Sequence, residues 1–139
     1  MECGACTFCC LVLPVPSLDK AAGERCAHCD TGKGCLIWGT KPEECSSFRC
    51  AYHQAPKCSP DMRPDNCRVL FERKGKIMIG TMHPWYGRDG LRKEARSQIA
   101  SFMREGLSVI LFSKKDKPTV LPAGDKTFAG VWAEYQAGE

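Results

Sequence analysis

Cysteine is the residue type in this chain whose number and spacing could support chemistry. The chain has 11 cysteines in 139 residues, and nine of them fall within the first 50. The series opens with Cys3-x2-Cys6-x2-Cys9-Cys10. Thiols at this spacing can turn toward one metal centre with little rearrangement of the backbone. Thiolates are soft ligands that select zinc, iron–sulfur clusters or Cu(I), so the opening segment predicts a metal site.

The candidate ligands continue through the first third of the chain. The full set is Cys3, Cys6, Cys9, Cys10, Cys26, Cys29, Cys35, Cys45 and Cys50. His28 lies between two of these cysteines and could replace one thiolate. Cys58 and Cys67 stand at wider spacing, and we interpret them as small buried hydrophobic residues.

Disulfide bonds are the main alternative explanation for so many cysteines. The odd count would leave one thiol unpaired, and adjacent Cys9 and Cys10 suit metal thiolates better than separate bridges with fixed Cα separations. Met1-Glu2-Cys3 has no basic segment, and the apolar run after Cys9 ends in Pro14-Val15-Pro16, which is not typical of a secretory signal. We therefore expect a reducing, cytoplasmic location, where thiolate sites persist.

The charge of the chain is modest and unevenly placed. The formal net charge is +4, and all of it falls in residues 61–139, which carry 14 Lys/Arg and 10 Asp/Glu. Net charge of this size speaks to solubility, and basic residues are not interleaved with aromatic ones as in a nucleic-acid surface. No apolar stretch is long enough to span a membrane. Nucleic acid and membrane are therefore not expected as partners, whereas a protein partner is left open.

The composition divides the chain into two parts. Three prolines fall within residues 54–64 and predict a stiff connector. Residues 1–56 have poor apolar periodicity and predict a loop-rich cysteine module that needs its metal to fold. Short helical turns are expected at 19–24 and 43–52. Residues 57–139 predict a small ββαββ-like part, docked on the module as one unit. The predicted class is α+β, with a small antiparallel sheet and one main helix.

Ordinary secondary-structure patterns appear only in the second part. Gly75 supplies the positive φ of a short hairpin, and Asp89 and Gly106 are suitable ends for the main helix. The apolar stripe of that helix is Leu91, Ala95, Ile99, Phe102 and Met103. The predicted elements are strands at 68–72 and 76–82, a helix at 89–105, strands at 107–112 and 119–121, and a helix at 128–135.

Three motifs resemble a known family. They are Cys3-Gly-Ala-Cys6-Thr-Phe-Cys9-Cys10, Gly34-Cys35-Leu-Ile-Trp38 and Lys41-Pro42-Glu-Glu-Cys45-Ser-Ser-Phe48-Arg-Cys50. In this order they resemble the cysteine-cluster family named for its CxxCxxCC signature (YkgJ type), described as zinc- or iron-chelating domains. Trp38 replaces the usual Tyr of that pattern, and Lys41 replaces the usual Arg. The resemblance covers residues 3–50.

The resemblance implies eight ligands, namely all the candidates above except Cys29. Eight thiolates could form two tetrahedral sites, a cubane cluster with one zinc site, or a single centre with spare thiols. A related cluster in bacterial flagellin lysine methylases is associated with a [4Fe–4S] centre. The cofactor that the resemblance implies is therefore an iron–sulfur cluster, [4Fe–4S] in type, or zinc.

Three function classes follow from these predictions. The first is a metal-binding protein whose centre is structural, redox-active or chelating. The second is an accessory enzyme or subunit that uses the centre in methyl or electron transfer, and the third is a zinc-dependent adaptor for nucleic acid or protein. No catalytic residues are assigned, because no Ser/His/Asp set, phosphate-binding loop or HExxH motif accompanies the cysteines. The question of enzymatic activity is left open.

Overall fold

The computed structural model describes residues 6–54 and 59–138, with Arg88 described by its backbone alone. The α+β class is confirmed. The helices are α1 (Phe8–Val12), α2 (Glu43–Ser46), α3 (Ala51–Gln54), α4 (Pro64–Cys67), α5 (Lys93–Arg104) and α6 (Phe128–Ala137). The strands are β1 (Cys29–Asp30), β2 (Gly34–Cys35), β3 (Val69–Lys74), β4 (Ile77–Met82), β5 (Ser108–Phe112) and β6 (Thr119–Leu121). Within the described residues, no helix is both long and apolar enough to cross a membrane.

The main sheet has the order β3-β4-β5-β6, and the prediction of a wholly antiparallel sheet is wrong at its centre. The outer pairs are antiparallel, but β4 and β5 run parallel, with Ile79 opposite Ile110. The reason is that α5 lies between these two strands in the sequence and returns the chain to the end of the sheet at which β4 began. A crossover helix of this kind returns the next strand in the same direction. The prediction assumed that every pair of neighbouring strands is connected as a hairpin and is therefore antiparallel.

The sheet is covered on both faces. Alternate residues of the central strands, including Met78 and Val109, form a core with Ala95 and Ile99 of α5. The opposite residues, Ile79 and Ile110 among them, pack against α6. The residues predicted as the apolar stripe of the main helix all pack on this side of the sheet, although Leu91 precedes α5 and is not part of the helix.

The cysteine-bearing half packs on the face of β3 that is opposite to α5. Phe8 of α1 and Tyr52 of α3 are buried together with Leu70 of β3. The ring of Phe8 also lies 6.0 Å from that of His83, which follows β4. These contacts join the two parts that the sequence predicted, and they hold α1 at a fixed place on the sheet.

Several predicted boundaries need correction. The main helix begins at Lys93 rather than Asp89, because Asp89 lies in a separate 3-10 turn. Arg92 is extended, with its guanidinium donating to the carbonyl of Asn66 at 2.8 Å. No helix forms at 19–24, where Asp19 has left-handed backbone at φ 52° and ends the 3-10 turn Pro16–Leu18. The 43–52 region contains two short helices, α2 and α3, instead of one.

Gly80 lies in β4, where side chains of the neighbouring strands β3 and β5 fill the space beside its Cα. A methyl group there would lie 2.6 Å from Leu111 Cδ2 and 3.0 Å from Phe71 Cε1. Phe71 is itself held edge-on by Phe102, with ring centroids 5.1 Å apart. A larger residue at this position must therefore displace packed core side chains.

Gly80→Ala is expected to lower the free energy of unfolding by about 1–3 kcal/mol, because overpacking forces core side chains from their preferred positions. Gly39→Ala is the matched control, since a methyl group at Gly39 meets nothing within 4 Å. The control is expected to change stability by less than about 0.5 kcal/mol. Urea denaturation of both variants measures the difference, and equal effects would contradict the packing account.

Candidate metal centre

A cavity of about 440 Å³ lies between α1, the β1–β2 hairpin and α2. Six of the predicted ligands line it, and they come from four segments of the chain. They are Cys6, Cys9, Cys10, Cys26, Cys35 and Cys45. The structure therefore brings together most of the cysteines that the sequence singled out.

Hydrogen bonds between segments bring these cysteines to one cavity. The amide of Cys26 donates to the carbonyl of Cys10 at 2.8 Å, which fixes the middle segment against α1. Ser17 donates to the carboxylate of Glu44 from its amide at 3.2 Å and from its hydroxyl at 3.0 Å. These bonds hold α2, and with it Cys45, across from the end of α1. These hydrogen bonds arrange the segments around the cavity, whereas apolar contacts hold α1 on the sheet.

The hairpin places Cys35 in the cavity wall. Gly32 lies in its turn and Gly34 begins β2, with φ of 77° and 141°, which other residues adopt only with strain. The amide of Gly32 donates to Thr7 Oγ1 at 3.5 Å, so the hairpin tip is tied to the start of α1. The sequence prediction of left-handed turn chemistry in this segment is confirmed.

Lys20 is a buried cation that sequence analysis missed. Its side chain is only 7 % exposed, and Nζ donates to the carbonyls of Leu11, Leu13 and Ala21. Leu11 lies in the last turn of α1 and Leu13 directly follows the helix, at the end where a helix favours positive charge. Burial lowers the pKa of Lys20, and the neighbouring thiols act in the opposite direction by favouring its charged form. A single lysine between Asp and Ala carries no sequence pattern that would have revealed this placement.

The thiols of the cavity share one electrostatic environment. Burial raises the pKa of Cys6 to about 11. The hydrogen bond with Cys9 raises the pKa of Cys10, and burial adds to the effect. Burial also raises the pKa of Cys45, and the charges of Cys10, Cys26 and Cys35 raise it further. These three thiols are therefore protonated near neutral pH in the metal-free protein, and each must lose its proton to bind a metal.

The rest of the cavity wall contains apolar side chains and charges of both signs, the negative one from Glu44. Phe48 and Trp38 supply aromatic surface, and Lys33 and Lys41 supply positive charge. The Lys41 ammonium lies 3.4 Å from the ring centroid of Trp38, a cation–π contact. Trp38 is 61 % exposed, so the cavity reaches the protein surface at this ring.

The remaining predicted ligands lie elsewhere. The Cys10 thiol forms a hydrogen bond with that of Cys29, but Cys29 is not part of the cavity wall. Cys50 is buried between α3 and the sheet, where its sulfur accepts from the amide of His53 at 3.5 Å. His28 is half-buried outside the cavity wall. Cys3 lies outside the described residues, as does Cys58.

Within residues 6–54 and 59–138, no three His, Cys, Asp or Glu side chains form a ready ligand group for a metal ion. The thiols instead line the wall of a cavity. No family model matches this chain, and no curated protein or solved structure matches it.

Cys67 is separated from the cysteine cavity. It is fully buried between α5 and the sheet, and its thiol lies 3.3 Å from the carbonyl of Val69. The interpretation of Cys67 as a small buried residue is therefore confirmed. Burial raises its pKa to about 11.

Alkylation of Cys67 by iodoacetamide is expected to be at least about a hundredfold slower in the native protein than in the denatured chain. A pKa of about 11, raised by burial from the usual value near 9, lowers the thiolate fraction about a hundredfold, and only the thiolate reacts. Mass spectrometry of peptides from native and guanidinium-treated protein measures the ratio. Comparable rates in the two states would show that Cys67 is accessible in the fold.

Proposed function

We propose that this protein is a metal-binding protein that holds an iron–sulfur cluster, [4Fe–4S] in type, through cysteine thiolates. The observation that carries the proposal is the shared cavity lined by Cys6, Cys9, Cys10, Cys26, Cys35 and Cys45. Six thiols are the majority of its possible metal donors, beside Glu44 and His53. Thiolate sites select iron–sulfur clusters, zinc or Cu(I) among biological metals. The resemblance to the CxxCxxCC cysteine-cluster family points in the same direction.

The size of the cavity favours a cluster over a single ion. Zinc holds its sulfur ligands at about 2.3 Å, and a sphere of that radius encloses only about 50 Å³. A cavity of about 440 Å³ offers several times that space. A closed zinc site is the second candidate for the same ligands, and it would require the cavity to contract around the ion.

Nearby cations offset the charge that thiolate ligands would bring. Lys20 interacts with Cys9, Cys10, Cys26 and Cys45 across a buried environment, and Lys33 and Lys41 stand in the cavity wall. Opposite charge near a thiol favours its ionised form, which is the form that binds metal. The cavity therefore combines the soft donors of a cluster site with positive charge that stabilises those donors.

The first test is an absorption spectrum with elemental analysis on protein purified without oxygen or chelator. Broad absorption near ~400 nm together with iron and sulfide is expected, as for clusters held by cysteine thiolates. Colourless protein that contains stoichiometric zinc would show that the site binds zinc, the second candidate, in place of a cluster. Protein without bound metal after anaerobic reconstitution with iron and sulfide, or with zinc, would overturn the proposal.

Cys45→Ser is expected to reduce bound metal at least about tenfold, because it removes a thiolate from the cavity wall. Cys67→Ala is the matched control, since it removes a thiol from the α5 core instead. The control should keep the metal content of the unchanged protein while losing some thermal stability. Metal analysis after desalting compares the two, and equal metal loss would reject the ligand assignment.

Metal binding is expected to strengthen as pH rises. The cavity thiols with raised pKa are protonated near neutral pH, so each one that binds metal releases a proton. Zinc affinity should then increase by up to about tenfold per pH unit for each thiol that ionises. Competition with a coloured chelator from about pH 6.5 to 8.5 measures this slope. A slope of zero would show that thiols with raised pKa are not ligands.

A second function is favoured by the exposed side of the cavity. Trp38 and the Lys41 ammonium form an aromatic and cationic rim beside the thiols. A centre with an accessible edge could serve electron or methyl transfer as part of an accessory enzyme. Removing the aromatic part of the rim by Trp38→Ala would then change the reactivity of the centre toward an external electron donor without changing its metal content. With a purely structural centre, Trp38→Ala would change neither the reactivity of the centre nor its metal content.

A further inference from the structure

Cys29 and Cys35 occupy directly opposed positions in the β1–β2 hairpin. The neighbouring pair is hydrogen bonded, because the amide of Leu36 donates to the carbonyl of His28 at 2.8 Å. Opposed residues of antiparallel strands alternate between hydrogen-bonded and non-hydrogen-bonded pairs. Cys29 and Cys35 are therefore a non-hydrogen-bonded pair, the kind in which side chains stand closest.

This geometry meets the requirement for a disulfide bond. Cα atoms of a non-hydrogen-bonded pair lie about 4.5 Å apart, within the range of roughly 4.4–6.8 Å that disulfides need. Directly opposed side chains also lie on the same face of the hairpin. Both thiols are free and half-buried.

The competing pairings near the hairpin are less favourable. Cys9 and Cys10 are adjacent, and neighbouring Cα atoms are only about 3.8 Å apart, below that range. Cys26 and Cys29 enclose a tight turn, in which the amide of Cys29 donates to the carbonyl of Cys26 at 3.1 Å. Cys10 is also near, because its thiol is hydrogen bonded to that of Cys29, but it lies in α1 and not in the hairpin. Within the hairpin, the two opposed strands make Cys29 and Cys35 the pair that can join with the least movement of the backbone.

We propose that Cys29 and Cys35 form a thiol–disulfide exchange site whose oxidant is a low-molecular-weight disulfide. Cys35 lines the cavity wall, whereas Cys29 does not. A bond between them would therefore withdraw one thiolate from the cavity and release the bound metal. The consequence for the metal rests on the proposed function, but bond formation between the two thiols does not.

The exchange takes place in two steps, and each step forms one sulfur–sulfur bond and breaks another. One protein thiolate attacks a sulfur of the small disulfide, which forms a mixed disulfide and expels one small thiolate. The second protein thiolate attacks the mixed disulfide, which closes the Cys29–Cys35 bond and expels the other. The protein thiols lose two protons and two electrons, and the small disulfide is reduced to two thiols. Strained or accessible disulfides of this kind are typically regulatory and easily reduced.

The test treats the full-length, metal-free protein with oxidised glutathione, alkylates the remaining thiols and maps the bonds by mass spectrometry. Trypsin cleaves after Lys33, so the two cysteines fall in separate peptides, 26–33 and 34–49. Each peptide holds a second cysteine, Cys26 or Cys45. Cys29→Ser is expected to abolish the cross-link between the peptides, whereas Cys26→Ser and Cys45→Ser are expected to keep it.

The expected first product is the loss of two free thiols with a Cys29–Cys35 bond as the main linkage. In a randomly coiled chain the nearer Cys26 would compete for Cys29, so a Cys26–Cys29 bond would overturn the proposal. A Cys10–Cys29 bond would overturn it as well, because the thiol of Cys10 is hydrogen bonded to that of Cys29. A cross-link that survives Cys29→Ser would also overturn it. Circular dichroism of each variant establishes that the comparison is made on folded protein.

A second measurement separates this proposal from the metal assignment. Metal-loaded protein is treated with oxidised glutathione, and released metal is followed with a coloured chelator. If metal is released as the Cys29–Cys35 bond forms, and is not released in Cys29→Ser, the exchange site regulates metal binding. If the bond forms while all the metal stays bound, the exchange site does not regulate metal binding. Protein that never binds metal yet forms the bond would overturn the proposed function alone.

Discussion

The contact between α1 and the back of β3 is the constraint on which the rest of the cysteine-bearing half depends. Within residues 6–54, regular structure consists of short helices and one small hairpin. Phe8, Leu11 and Val12 bury their side chains with Leu70 and Tyr52, and each such side chain contributes about 1.5–3 kcal/mol when fully buried. Cys9 and Cys10 lie within the same short helix. The main sheet therefore sets the position of two cavity thiols, and the other segments are arranged around them.

The thiol cavity also concentrates unfavourable terms in the metal-free protein. The charged ammonium group of Lys20 is itself buried. Several thiols also lie close together, so that ionisation of one raises the pKa of its neighbours. The carbonyl bonds of Lys20 compensate part of its desolvation. A bound cation would relieve the repulsion between thiolates, which couples metal binding to the stability of this half.

Local pattern made part of this structure predictable. The stripe of α5, the turn at Gly75 and the boundaries of β6 depend on residues close together in sequence, and they were predicted correctly. The parallel pairing of β4 with β5 was not, because pairing direction depends on where α5 packs. Residue type alone identified the six cavity thiols. It could not separate them from Cys29 and Cys50, whose positions depend on the hairpin register and on packing against β3.

The open order of the main sheet leaves β3 and β6 as edges, and their sequences guard against unwanted association. Beyond Leu70 and Phe71, β3 ends in Glu72, Arg73 and Lys74, the last two exposed. β6 has only three residues and is bracketed by Pro118 and Pro122. Charges and prolines at strand edges discourage pairing with another chain. A protein rich in reactive thiols gains from this arrangement, because copies that do not align their sheets have fewer chances to become cross-linked through sulfur.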